Sequence, residues 1–300
     1  MTASSPPNSV FVLPDGRALG WADYGIPEGR PVFYFHGLPS SRLEAALTKP
    51  HAADLGLRII SVDRPGFGHS AFQEGRRIID WPNDVVALAD SLSIGPFAVL
   101  GTSGGGPYAL ACAALLPHRV TAVAVMCGLG RVAESSGNTA FRGFARFALA
   151  LARRAPFMLP ALCMPVAWGL HTPAVDFYLK HFAHGLGALD RRTLLDPVVR
   201  SALVAAFRES ARGGYRGPCH DLCLAAQPWG FDPRDIAVPV HLFHGDRDRV
   251  VPSSMSTDLA TLIRGARVDI LPGEGHYSLP VRHSREALSR LAASSWDLME

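Results

Sequence analysis

What the 300-residue chain lacks narrows its role first. It has no lysine- or arginine-rich block, and a formal net charge of +3 is spread along its length, which removes the electrostatic footprint expected of a nucleic-acid or anionic-membrane partner. The start, "MTASSPPNSV", has neither basic residues nor an apolar h-region, so no secretion signal or lipidation site is expected and residues 1–8 are expected to be disordered. Cysteines are few and odd in number, five in all, which points to reduced thiols in a cytoplasmic protein rather than a disulfide framework. Three candidate metal ligands crowd "CHDLC" (Cys219, His220, Cys223), but at no standard zinc spacing and with no second pair nearby, so local packing is expected and no metal. Long apolar runs are absent too. The nearest is "APFMLPALCMPVAWGL" at 155–170, which is broken by Pro156, Pro160 and Pro165 and preceded by Arg153 and Arg154; a membrane span needs ~20 apolar residues.

What is present suits one sizeable domain with an insertion, since 48% of residues are hydrophobic and 18% charged, ample for a large core. Runs of β character recur at 10–13, 18–25, 31–37, 57–63, 97–101, 120–126, 238–245 and 266–271. The later runs are continuously apolar, as parallel strands covered on both faces require. Helix-length text separates them at 42–55, 79–92, 104–116, 253–263 and 281–298. Strand alternating with helix predicts an α/β fold, a mostly parallel doubly wound sheet of eight strands. The alternation stops from Gly128 to about Pro233, where Ala-, Leu- and Arg-rich text is punctuated by prolines. The expected division is a core of 9–127 and 234–300 and a helical lid of 128–233.

The stretch "FAVLGTSGGGPYAL" at 97–110 places Ser103 among glycines where an apolar strand must turn into a helix. Such a turn forces the serine towards unfavourable backbone angles and crowds its neighbours, which glycine at 101 and 105 relieves. The hydroxyl is lifted above the carboxyl edge of the sheet, with the Gly104 N–H and the helix N-terminus facing any developing negative charge. This is the G-x-S-x-G nucleophile elbow. A serine there needs a base and a group to hold that base. Downstream, "GDRDRVVP" puts Asp246 and Asp248 after one late strand, and "GEGHYSLP" puts His276 after the next. Loops at the carboxyl ends of neighbouring parallel strands share one crevice.

With these motifs in hand, the chain resembles the α/β-hydrolase fold family along nearly all its length apart from the lid. "FYFHGLPSSR" resembles the oxyanion loop, "DRPGFGHS" the loop after the fourth strand, "GTSGGGPYALA" the elbow, "GDRDRVVP" the acid loop and "GEGHYSLP" the histidine loop. The resemblance implies Ser103 as nucleophile, His276 as general base and acid, and Asp248 as the residue orienting the imidazole, with Asp246 as an open alternative. It implies an oxyanion hole from the N–H groups of Leu38 and Gly104, and no metal or organic cofactor. Serine at the elbow, where dehalogenases and epoxide hydrolases of this family carry aspartate, argues against halides or epoxides as substrates. His36 is read as organising the oxyanion loop, and Asp63 and Arg64 as stabilising theirs. Residues expected to contact substrate are His36, Gly37 and Tyr277 beside the triad and Phe144, Met164, Trp168 and Phe177 in the lid, whose apolar side chains suggest an apolar acyl or alcohol group.

The expected partner is a small ester-like molecule rather than nucleic acid or membrane, with a homodimer left open. The expected reaction is hydrolysis of a carboxylic ester or lactone through an acyl-enzyme. Two alternatives stand beside it: the same triad turned to carbon–carbon hydrolysis, a lyase step or perhydrolysis, and a binding or signalling protein that keeps the fold without turnover.

Overall fold

The computed structural model describes residues 9–133, 141 and 143–294; the expected disorder of residues 1–8 falls outside them, as does the side chain of Phe144. Eight strands form one sheet: β1 (Ser9–Val12), β2 (Ala18–Gly25), β3 (Arg30–Phe35), β4 (Leu57–Val62), β5 (Phe97–Thr102), β6 (Val120–Met126), β7 (Val240–Gly245) and β8 (Arg267–Leu271). Their spatial order is β1-β2-β4-β3-β5-β6-β7-β8. The first two strands run antiparallel and the rest parallel.

Side chains alternate along the central strands because the strand period is two, with one register shift between β5 and β6 near Val120. Phe33, Phe35, Val99, Val123 and Val125 point to one buried layer, whereas Val32, Tyr34, Ala98, Leu100, Ala124 and Met126 point to the other. The first layer packs against α2 (Trp81–Ser91), α3 (Gly106–Leu115) and α10 (Ser254–Leu262), and the second against α1 (Lys49–Asp54) and α12 (Ser284–Ala292). All seven residues of β6 are buried, which is why the sequence there reads as an unbroken apolar run.

Two predicted helices are divided. The stretch expected at 42–55 is a 3-10 segment, Arg42–Thr48, followed by α1; Pro50 lacks an N–H and restarts the helix in its first turn. The stretch expected at 281–298 is α11 (Ser278–Arg282) and then α12, with a break at His283. The break lets α11 meet the inserted helices while α12 lies on the sheet.

Between β6 and β7 the described residues form helices without strands: α4 (Gly143–Arg154), α5 (Leu159–Leu170), α6 (Ala174–His184), α7 (Ala188–Leu195), α8 (Pro197–Ser210) and α9 (Arg216–Ala225). Pro197 occupies the first turn of α8, and Asp196 caps it by accepting from Val198 N and Val199 N at 2.9 and 3.1 Å. Among the described residues, no helix is long and apolar enough to cross a membrane.

Candidate active site

Ser103 sits at the end of β5 with a left-handed φ of 52°. A bulky neighbour would not be tolerated there: a Cβ on Gly101 would lie 2.8 Å from the Gly105 carbonyl oxygen, and one on Gly105 would collide with the Phe35 carbonyl. Crowding of this kind is what a strand-to-helix turn with an outward-aimed serine imposes, and glycine answers it.

His276 lies on the loop between β8 and α11, and its Nε2 is 3.0 Å from Ser103 Oγ. Its Nδ1 is 2.7 Å from Asp248 Oδ2. The Asp248 side chain is buried and its other oxygen accepts the N–H groups of Val250 and Val251 at 2.7 and 2.8 Å. Asp246, the alternative acid, sits 38% exposed and accepts Gly273 N at 2.7 Å, which is the work of a turn aspartate. The three residues spread over more than half the chain thus meet at one rim, and the acid among them is Asp248.

Electrostatics match the geometry. Burial disfavours the His276 imidazolium, but the charge and hydrogen bond of Asp248 outweigh it and raise the imidazole pKa above its ordinary value. Burial likewise works against ionised Asp248, yet His276 and the hydrogen bond from His244 hold its carboxyl well below the usual range. His244, on β7, stands behind the acid. Its Nε2 faces two acceptors, Asp248 Oδ2 at 3.2 Å and the Val251 carbonyl at 3.0 Å, so it carries a proton there; its Nδ1 meets Ser256 Oγ at 2.7 Å. The signal was present in the sequence as a histidine in an apolar strand four residues before Asp248. Cys127, at the end of β6, brings a thiol within 4.8 Å of the acid and base atoms; it donates to the Gly275 carbonyl at 3.7 Å, and burial pushes its pKa well up.

The loop after β3 faces Ser103. A Cβ built on Gly104 would lie 3.4 Å from Leu38 N, so the N–H-bearing backbones of Leu38 and Gly104 are neighbours beside the nucleophile. His36 is fully buried behind this loop and is not among the residues lining the cavity beside Ser103. It donates from Nδ1 to the Gly37 carbonyl at 2.8 Å and accepts Arg64 N on Nε2 at 3.2 Å. Burial and the nearby Arg64 guanidinium hold its pKa well down, which keeps the ring neutral for that pair of roles. The expectation that His36 organises the loop therefore describes its position, whereas contact with substrate does not. Asp63 and Arg64 do stabilise their loop: Asp63 accepts Arg42 N and His69 N at 2.7 and 3.0 Å, and Arg64 Nη2 donates to the Gly37 carbonyl at 3.0 Å.

A cavity of about 690 Å³, its open mouth included, adjoins Ser103 and His276. Gly37, Leu38 and Tyr277 line it as expected, together with Tyr34, Glu44, Leu47, Leu100, Met126, Leu203 and Phe207. Met164, Trp168 and Phe177 do not. They are 51%, 73% and 65% exposed on α5 and α6 and face outward, because composition marks a helix as apolar without telling which side meets the core. The inserted wall of the cavity comes instead from α8, through Leu203 and Phe207.

Three carboxylates of the inserted helices, none signalled by a motif, fasten them to the loops that carry the site. Asp190 on α7 is fully buried and accepts the backbone N–H groups of His276, Tyr277 and Ser278 at 2.9, 2.9 and 2.8 Å. Glu209 on α8 pairs with Arg42 at 2.8 Å. Asp221 on α9 pairs with Arg64 at 2.7 Å and with Arg76, and accepts the Tyr108 hydroxyl at 2.8 Å.

The profile of the alpha/beta hydrolase fold family matches residues 30–282. The chain belongs to that family. It is 27% identical over 273 residues to a non-heme haloperoxidase of Rhodococcus erythropolis, covering 87% of this chain and 90% of that one. It is 24% identical over 277 residues to 2-hydroxy-6-oxo-2,4-heptadienoate hydrolase of Pseudomonas putida, covering 89% of each. Among solved structures, an esterase from Exiguobacterium antarcticum superimposes with a TM-score of 0.68 at 20% identity, covering 96% of this chain and all of the other; at that identity the likeness is one of fold.

Proposed function

We propose that this α/β-hydrolase cleaves a carboxylic ester or lactone of a small, largely apolar substrate through an acyl-enzyme on Ser103. The observation that carries the reading is the unbroken hydrogen-bonded line from Asp248 through His276 to Ser103. Ser103 Oγ attacks the carbonyl carbon as His276 Nε2 takes its proton, and the carbonyl electron pair moves onto oxygen beside the N–H groups of Leu38 and Gly104. Collapse of the tetrahedral adduct breaks the bond to the alcohol oxygen, which leaves with the proton from His276. Water then attacks the acyl-enzyme, gives its proton to His276, and the acid departs as that proton returns to Ser103. Asp248 holds Nδ1 protonated throughout, so that Nε2 is the basic nitrogen.

The name of the Pseudomonas relative supports a second reading, in which the same serine cleaves a carbon–carbon bond. A series of p-nitrophenyl esters of increasing acyl length separates the two, since a dedicated carbon–carbon hydrolase handles them poorly. A fluorophosphonate should label wild type at Ser103 and leave Ser103→Ala unlabelled. A folded wild-type protein that takes no label and releases no p-nitrophenol would count against turnover of any kind.

A further inference from the structure

Glu44 is the one acidic side chain in the cavity lining, and that lining contains no lysine or arginine. It is only 7% exposed, and among the described residues no cationic side chain lies within ion-pair distance of it. Its hydrogen bonds come from one side. The Tyr34 hydroxyl donates to Oε1 at 2.6 Å and is itself 3.0 Å from Thr102 Oγ1. Gly37 N is shared between the two oxygens at 3.3 and 3.2 Å. A carboxylate offers about four lone-pair positions, so these donors fix its orientation and leave acceptor capacity on Oε2.

Glu44 and Ser103 line the same cavity. A single point, where a Cβ on Gly37 would be, lies 3.4 Å from Glu44 Oε2 and 3.5 Å from Ser103 Cβ. Because residue 37 is glycine, no Cβ occupies that point. Taking a carboxylate out of water without a counter-charge is costly, and a charge-assisted hydrogen bond to it from a ligand is correspondingly strong. We propose that Glu44 is a cation-recognition subsite, so that the preferred ester carries a protonated amine a few bonds from its scissile carbonyl. This rests on the ester-hydrolase reading and specifies its substrate class.

Isosteric ester pairs test it, with the charge on either side of the scissile bond: 2-(dimethylamino)ethyl acetate against 3-methylbutyl acetate, and methyl 4-(dimethylamino)butanoate against methyl 5-methylhexanoate. Wild type should favour the cationic member of at least one pair by about tenfold or more in kcat/KM at pH 7. Glu44→Gln, which keeps acceptors for Tyr34 and Gly37 but loses the charge, should lower that cationic-to-neutral ratio about tenfold, whatever happens to either rate alone. Preference for the neutral member in both pairs overturns the proposal, as does a ratio unchanged in Glu44→Gln, which would leave Glu44 as a support of the oxyanion loop only. The wild-type ratio needs no variant to fold. Turnover of neutral esters without a cation preference removes this inference and spares the ester reading, whereas no turnover of any ester, p-nitrophenyl acetate included, removes both.

Discussion

Exchanging Asp248 for asparagine isolates what the acid of the triad does. The amide oxygen can remain where Oδ1 accepts Val250 N and Val251 N at 2.7 and 2.8 Å. That orientation puts the amide nitrogen where Oδ2 was, 2.7 Å from His276 Nδ1 and 3.2 Å from His244 Nε2. An NH₂ group there donates, so His276 Nδ1 must become the acceptor and its proton moves to Nε2, the atom facing Ser103. The serine then meets a donor in place of a base. A wrong tautomer in an otherwise intact site lowers kcat by roughly 10³- to 10⁴-fold, or about 4–5.5 kcal/mol of transition-state stabilisation. The loss of charge also removes the largest of the carboxylate effects that raise the His276 pKa, Asp190 and Glu44 supplying the rest, so the acid limb of the kcat/KM profile, which climbs as the imidazole becomes neutral, moves to lower pH. The assay is the pH dependence of p-nitrophenyl ester hydrolysis by wild type, Asp248→Asn and Asp246→Asn. Asp246 lies at a turn, and an amide oxygen can still accept from Gly273 N, so its variant should stay within about threefold of wild type, as surface substitutions do. A folded Asp248→Asn protein retaining more than a tenth of wild-type kcat, or a large loss in Asp246→Asn instead, would refute the assignment.

Asp190→Ala strips the acceptor from three backbone N–H groups at residues 276–278 and should cost about 3–5 kcal/mol in urea unfolding, with kcat falling because the base is no longer held; a loss below about 1 kcal/mol would mean that the clamp contributes little. Asp221→Asn leaves Arg64 and Arg76 buried without their shared anion and should destabilise by about 3–5 kcal/mol at neutral pH. Burial works against ionised Asp221, but the two guanidiniums hold its carboxyl well below the usual range. Its stabilisation is therefore present above the unfolded carboxyl pKa of about 3.9 and lost on acidification, so the gap between wild type and variant should close as pH falls below about 4; a gap constant with pH contradicts the ion-pair account. Gly105→Ala drives a methyl into the Phe35 carbonyl, 2.8 Å from that of His36, and should lower Tm by several degrees through a loss of about 2 kcal/mol; an unchanged Tm would show that the elbow has slack.

Much of the fold was legible because sheet burial writes itself locally. Residues 120–126 read as a continuous apolar run because each faces one of two buried layers, and all eight predicted strands appear within a few residues of their expected ends. Ser103 was legible for a different reason, since a sharp strand-to-helix turn demands glycine at fixed offsets; Asp248 was preferred only through the resemblance of its loop to the family's acid loop, with Asp246 left open. The inserted helices were legible only as helices. Whether Trp168 turns inward depends on which face meets a neighbour, and no local property of "CMPVAWGL" encodes that.

The sequence by itself determined the sheet and the elbow, because each follows from periodicity or from backbone geometry within a few residues, while the partners of Ser103 were legible only through the family resemblance, which left Asp246 open beside Asp248. Tertiary structure alone decided that Asp190, Glu209 and Asp221 bind the inserted helices to the site loops, that His244 backs Asp248, and that Glu44 lines the cavity with no cationic side chain, among the described residues, within ion-pair distance. Apart from His244 and Asp248, such contacts join groups tens to more than a hundred residues apart. A buried carboxylate is satisfied by whichever donors folding brings to it, and the chain carries no local mark of where those donors will be.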